Sequence, residues 1–157
     1  MKHLIASIML LGALCLGMSS CDKDREAIVA TDMENGITNN PTGSKIKIIV
    51  GTAVFTATLN DSQAANAFKA MFPLSIKMED LNSNEKFYNF PGTLPNSASA
   101  GGNIQVGDLM LFGNNCLVLF YKGFNTSYSY TRLGKIDNVT GLVAALGSRD
   151  VNVRFEL

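Results

Sequence analysis

Two apolar runs separated by three residues limit what this chain can become more than anything else in it. Leu109-Met110-Leu111-Phe112 and Cys116-Leu117-Val118-Leu119-Phe120-Tyr121 flank Gly113-Asn114-Asn115. Gly and Asn tolerate the positive φ values that tight turns demand, so the stretch predicts a β-hairpin. Neither arm alternates with polar residues, so each has to be covered on both faces or built into a closed barrel.

The segments around the hairpin supply more strands. Lys45 to Val50 and Ala53 to Leu59 are β-branched and alternating, with Gly51-Thr52 as a short link, and predict a second hairpin. Leu74, Ile76 and Met78 alternate with Ser75, Lys77 and Glu79. A polar turn then leads into a short aromatic strand at Phe87-Tyr88. Thr131 to Asp137 reads as a strand, and Val151, Val153, Phe155 and Leu157 alternate with Asn152, Arg154 and Glu156 in a final one. Between them, Ala64, Ala65, Phe68, Met71 and Phe72 form one stripe of a helix of about three turns, capped at Asn60-Asp61-Ser62 and stopped by Pro73. Asp137-Asn138 is expected to cap a second short helix that turns Leu142, Ala145 and Leu146 inward and stops at Gly147. Pro91 to Gly102 has no periodicity and reads as a long irregular loop. The expected fold is mainly β: a closed barrel of about eight strands with two short helices, spanning residues 45–157.

The N-terminal part reads differently. Met1-Lys2-His3 is a short basic start, and Leu4 to Gly17 is an apolar run with the length of a signal-peptide core, short of the roughly 20 residues of a spanning helix. Met18-Ser19-Ser20-Cys21 resembles a bacterial lipobox, with Met18 where Leu is usual; cleavage as an ordinary secretory signal is the alternative. The expectation is a lipoprotein signal peptide over 1–20, then lipidated Cys21 and a flexible tether to residue 44. That tether is acidic and ends in Asn39-Asn40-Pro41-Thr42-Gly43-Ser44. Several acyl chains at about 0.8 kcal/mol per buried CH₂ hold a protein on a membrane durably. The partner expected through Cys21 is therefore a membrane, and the expected location is the bacterial cell envelope, on its extracytoplasmic side.

Without residues 1–20 the 13 basic residues become 12 against 13 acidic ones, net −1. Nothing in that balance points to the concentrated basic surface a nucleic-acid partner requires, and none is expected. Of the three cysteines, Cys15 leaves with the signal and Cys21 carries lipid. Cys116, alone in an apolar run, reads as a small buried hydrophobe.

The single histidine is His3, inside the signal. The mature chain is thereby excluded from Ser-His-Asp and Cys-His nucleophilic chemistry and from histidine-based zinc sites, and no cofactor or metal is expected. Glu79, Asp80 and Glu85 bracket one turn, and Asp108 opens the main hairpin. These carboxylates read first as turn residues, with Asp108 hydrogen-bonding backbone amides, and second as a converging acid/base pair. Phe124 to Arg132 is the most suggestive polar surface. Tyr121, Tyr128, Tyr130 and Arg132 are candidates to line a small-molecule or peptide groove, with Glu85 and Asp108 as its carboxylates. In the competing reading the tyrosine hydroxyls satisfy rim backbone groups and Arg132 pairs with a nearby carboxylate.

Several stretches together resemble the bacterial cyclophilin-like domain family. They are Thr56-Ala57-Thr58-Leu59 with Ala67-Phe68, Glu85-Lys86-Phe87-Tyr88, Ile104-Gln105-Val106-Gly107-Asp108-Leu109, Leu119-Phe120-Tyr121, Tyr128 to Ile136, and the closing Val153-Arg154-Phe155-Glu156-Leu157. The resemblance implies an eight-stranded barrel closed by two helices. It carries no catalytic residues across. True prolyl isomerases of that fold use an arginine followed by phenylalanine with a nearby glutamine, plus a histidine, and here Arg154-Phe155 stands at the terminus without that block. The expectation is a monomeric barrel that binds a small molecule or peptide without catalysis; the alternative is a divergent peptidyl-prolyl isomerase in which Arg132 polarises the prolyl amide.

Overall fold

The computed structural model describes residues 43–157. The expected leader, the lipidation site at Cys21 and nearly all of the tether lie outside the described residues.

The apolar hairpin forms β6 (Asp108–Phe112) and β7 (Cys116–Phe120), in register with Leu109 opposite Leu119 and Leu111 opposite Leu117. Both of its faces are covered. Leu109, Leu111, Leu117 and Leu119 belong to the main core, whereas Met110, Val118 and Phe120 belong to a second cluster with Ile104 and Tyr130. The two-residue period of a strand thus divides one continuous apolar run between two cores.

Around this hairpin stand β1 (Lys45–Val50), β2 (Ala53–Leu59), β3 (Leu74–Leu81), β4 (Glu85–Asn89), β5 (Ser99–Ile104), β8 (Phe124–Ile136) and β9 (Val151–Glu156). Neighbours pair antiparallel in the order β2-β1-β9-β3-β4-β7-β6-β8, and β8 returns to β2 through Ala57–Ile136, Thr58–Lys135 and Leu59–Gly134. Eight strands therefore close into a ring, as expected of a barrel. Closure depends on Gly134, because a Cβ there would collide with the Thr58 carbonyl. Beside the seam, Asp137 accepts from Lys45 Nζ at 2.9 Å and from Thr58 Oγ1 at 2.5 Å.

The helices are α1 (Gln63–Lys69) and α2 (Leu142–Leu146). Ser62 caps α1 by accepting from the Ala65 amide at 3.2 Å. The helix is shorter than the apolar stripe suggests, since Met71 and Phe72 lie in the bend that follows it. Phe72 still packs in the core, edge-on to Phe68 at 5.0 Å and stacked with Phe155 at 6.0 Å. Neither Asp137 nor Asn138 caps α2, whose N-cap is Gly141 in the left-handed region. Asp137 is engaged at the barrel seam, and Asn138 accepts from the Thr140 amide.

Two stretches not expected as strands are extended. Residues 99–104 form β5, a ninth strand that pairs with β8 outside the ring. Its sequence, Ser-Ala-Gly-Gly-Asn-Ile, lacks apolar alternation because only Gly101 and Ile104 are buried, and one of these has no side chain. The second is Phe124 to Tyr130, the first half of the 13-residue β8.

Candidate ligand cavity

Along β4 the side chains alternate between the two sides of the wall. Lys86 points into the barrel, fully buried, and Glu85 points out of it. The same alternation turns Cys116 and Val118 of β7 outward. The first half of β8 faces them, presenting Phe124, Thr126, Tyr128 and Tyr130 on one side at the spacing of two that a strand imposes. Between the wall and this arm lies a cavity of about 420 Å³. Its apolar surface is largely aromatic: Phe87, Phe112 and Phe124 join the two tyrosines. Phe112 stands edge-on to Tyr128 at 6.1 Å and tilted against Tyr130 at 5.5 Å.

Two polar groups of the cavity lack protein partners. Glu85 is only 9% exposed, and among the described residues nothing donates to its carboxylate. Burial holds that carboxyl above the ordinary carboxylate range. Beside it, the Asn84 side-chain oxygen is buried and accepts no hydrogen bond. Such an unpaired buried oxygen is uncommon in folded proteins because it forfeits its hydration without return, whereas the Glu85 oxygens still reach the cavity.

The other side of the same wall differs. Lys86 Nζ donates to Asp80 Oδ1 at 2.6 Å and to the Arg149 carbonyl at 2.8 Å, and it lies 5.2 Å from the centre of the Tyr121 ring. The Tyr121 hydroxyl also donates to Asp80 Oδ1, at 2.6 Å. Hydrogen bonds from Lys86 and then Tyr121 hold the Asp80 carboxyl below its usual range. Burial first, and then Asp80, push the Tyr121 hydroxyl up to about 12.

Of the six candidate site residues, the structure brings together Glu85, Tyr128 and Tyr130. Tyr121 belongs to the barrel-interior network with Asp80. Arg132 and Asp108 also stand apart from the cavity and brace the chain. Arg132 Nη2 donates to the Gly101 carbonyl at 2.9 Å, and Nη1 lies 3.5 Å from Asp108 Oδ2. Asp108 in turn accepts from the Gln105 amide at 2.9 Å, the turn-ordering role its position suggested. Arg132 thus pairs with a carboxylate, as the competing reading of it held. Cys116 is half-buried and lines the cavity, with a thiol raised by burial and by the nearby Glu85 charge. Residues not singled out in the sequence are Asn84, Phe87, Phe112 and Val118. For Phe112 and Val118 the signal that could have found them is the parity of the hairpin arms, which assigns every second residue to a face away from the main core. Among the described residues no group of three or more His, Cys, Asp or Glu side chains could hold a metal ion.

Comparison with known proteins adds the following. The sequence matches the Cyclophilin-like family over residues 48–156. The fold is similar to the solution structure of a hypothetical protein from Archaeoglobus fulgidus at 13% identity, with a TM-score of 0.50 over 76% of this chain and 98% of that one. No curated protein matches the sequence.

Proposed function

The chain belongs to the cyclophilin-like family, and from that premise we propose that it is a lipid-anchored extracytoplasmic protein whose barrel binds a small molecule or peptide without transforming it. The observation that carries the binding reading is the cavity between β4, β7 and the first half of β8. At about 420 Å³ it falls in the range of small-molecule sites, and it combines aromatic walls with a few convergent polar groups. Its chemistry favours holding over reacting: burial keeps the Cys116 thiol and the Tyr130 hydroxyl protonated, and Glu85 is the cavity's single carboxylate. The guanidinium of Arg132, the group an isomerase reading relies on, is engaged by the Gly101 carbonyl and Asp108.

The test uses the full chain, extracted in detergent and screened by ligand-observed NMR against a library of small metabolites and short peptides. Binders are expected, and Val118→Trp, which fills the cavity, should abolish their signals while leaving the far-UV circular dichroism unchanged. A silent library, or binding indifferent to that substitution, overturns the reading. Anchoring is tested by fractionation: wild type is expected in the membrane pellet and Cys21→Ser in the soluble fraction, and a variant that still pellets refutes the lipid anchor.

A further inference from the structure

Glu85 and Lys86 are consecutive residues with opposite fates. The lysine has a carboxylate, a carbonyl and an aromatic face around it, while the glutamate, nine-tenths buried, has no donor among the described residues. No lysine or arginine lines the cavity, so an anionic ligand would meet a like charge and no counter-charge. Aromatic side chains supply the rest of the enclosure, and their faces attract cations as well as flat apolar bodies.

Resting on the binding reading above, we infer that the ligand class is an organic ammonium ion with an apolar, ring-sized body. Its N–H groups meet the Glu85 carboxylate, and its body lies among Phe87, Phe112, Phe124 and Tyr128. A primary ammonium offers its donors to the two oxygens of this carboxylate. The volume admits a ligand of roughly drug size, ruling out a bare inorganic cation as a good fit. The ammonium can arrive on a free amine or on a peptide lysine, and the two sources share this recognition chemistry.

The full chain in detergent would be titrated at pH 8 with phenethylamine, with 2-phenylethanol as a neutral isostere, with 3-phenylpropionate as an anionic analogue, and with a short peptide carrying one lysine beside a phenylalanine. Affinities are read by calorimetry and by shifts of the backbone amides of residues 84–89. The amine is expected to bind about tenfold or more tighter than the alcohol, as a charge-assisted hydrogen bond implies, and the carboxylate not at all. Glu85→Gln should bring the amine down to near the level of the alcohol, whose own affinity falls much less. The peptide arm assigns the source: peptide affinity at or above that of the free amine places the ammonium on a lysine. Alcohol or carboxylate binding as tightly as the amine, or amine binding indifferent to Glu85→Gln, overturns the ammonium inference and leaves the cavity a binding site. Silence from all four probes overturns the inference, and only silence from the broader library as well removes the binding reading.

Discussion

Replacing Asp80 by Asn should cost far more stability than replacing its partner Lys86 by Met. The Lys86 side chain has no exposure, whereas the Asp80 side chain keeps 15%. Without the Asp80 charge, the ammonium stays inside the barrel with neutral acceptors, the Tyr121 ring and only the more distant charge of Asp150. An uncompensated buried charge costs about 3–5 kcal/mol. Removing the ammonium instead forfeits two charge-assisted hydrogen bonds of about 1.5–3 kcal/mol each. It also lifts a desolvation penalty of several kcal/mol, and Met fills the space of the lysine stem. Asp80 keeps the Tyr121 hydroxyl and its access to water. The expected cost of Lys86→Met is therefore about 1–2 kcal/mol, and the double variant should cost little more, giving a coupling of about 2 kcal/mol or more. Urea unfolding followed by far-UV circular dichroism measures all four corners of the cycle; the chain has no tryptophan to report by fluorescence. pH supplies a second axis. The folded-state carboxyl of Asp80 lies below its ordinary value of 3.8. Its stabilisation is complete above that value and is lost as pH falls through the lowered one. The gap between wild type and Asp80→Asn should thus hold steady from neutral pH down to the ordinary value and close only in stronger acid. Equal costs for the two single variants, or additivity within about 0.5 kcal/mol, would refute the argument that the pair is buried and coupled.

Gly134→Ala places a methyl group against the Thr58 carbonyl at the β2–β8 seam; overpacking of about 1–3 kcal/mol is expected, with faster hydrogen exchange concentrated at residues 57–59 and 134–136. Glu85→Gln should stabilise the protein at pH 7 in thermal unfolding. The folded-state carboxyl of Glu85 is raised by burial, so wild type loses stability as pH climbs from below the ordinary value of 4.5 through the raised one, and the advantage of the variant should vanish at the acid end of that window. Cys116 should react slowly with iodoacetamide at pH 7.5 in the native protein, and faster in Glu85→Gln, because burial and then the Glu85 charge oppose its thiolate; peptide mapping locates the adduct.

What the sequence disclosed follows from where each residue's partners lie. β1, β2 and β9 alternate cleanly because one face of each meets a single core. The β6–β7 hairpin was legible as doubly covered, but not the identity of its second cover. That cover is the first half of β8, and its run of Phe124, Thr126, Tyr128 and Tyr130 does have a strand's period. Serines and asparagine fill the intervening positions, so it resembles a polar crossing. β5 was invisible because its buried positions include a glycine that approaches Tyr128 and Tyr130 too closely for any side chain. Within the site, Glu85, Tyr128 and Tyr130 were nameable from residue type. Tyr121 and Arg132 have the same chemistry and a different address, because Tyr121 lies just past the end of β7 and Arg132 is held by a β5 carbonyl. Residue type carries no information about either.

The barrel interior and the cavity are linked through the register of β4. Its sequence, Glu-Lys-Phe-Tyr-Asn, carries an aromatic on each face, so hydrophobic pattern alone discriminates poorly between the two ways the strand can face. Charge discriminates well. In the observed register Asp80 stands opposite Lys86 and Glu79 opposite Phe87. A slip of one residue would bring Glu85 to the inward position beside Asp80, two carboxylates in a dry interior, and would send the lysine outward. The Asp80–Lys86 pair therefore does more than fill the barrel: by making one register much better than the other, it obliges Glu85 to face the cavity without a partner. Removing the pair should leave the barrel's apolar contacts largely intact, so its signature is a mixture of β4 registers. A single set of β4 amide resonances in the Asp80→Asn, Lys86→Met double variant, with Glu85 still facing the cavity, would show that β7 pairing alone sets the strand.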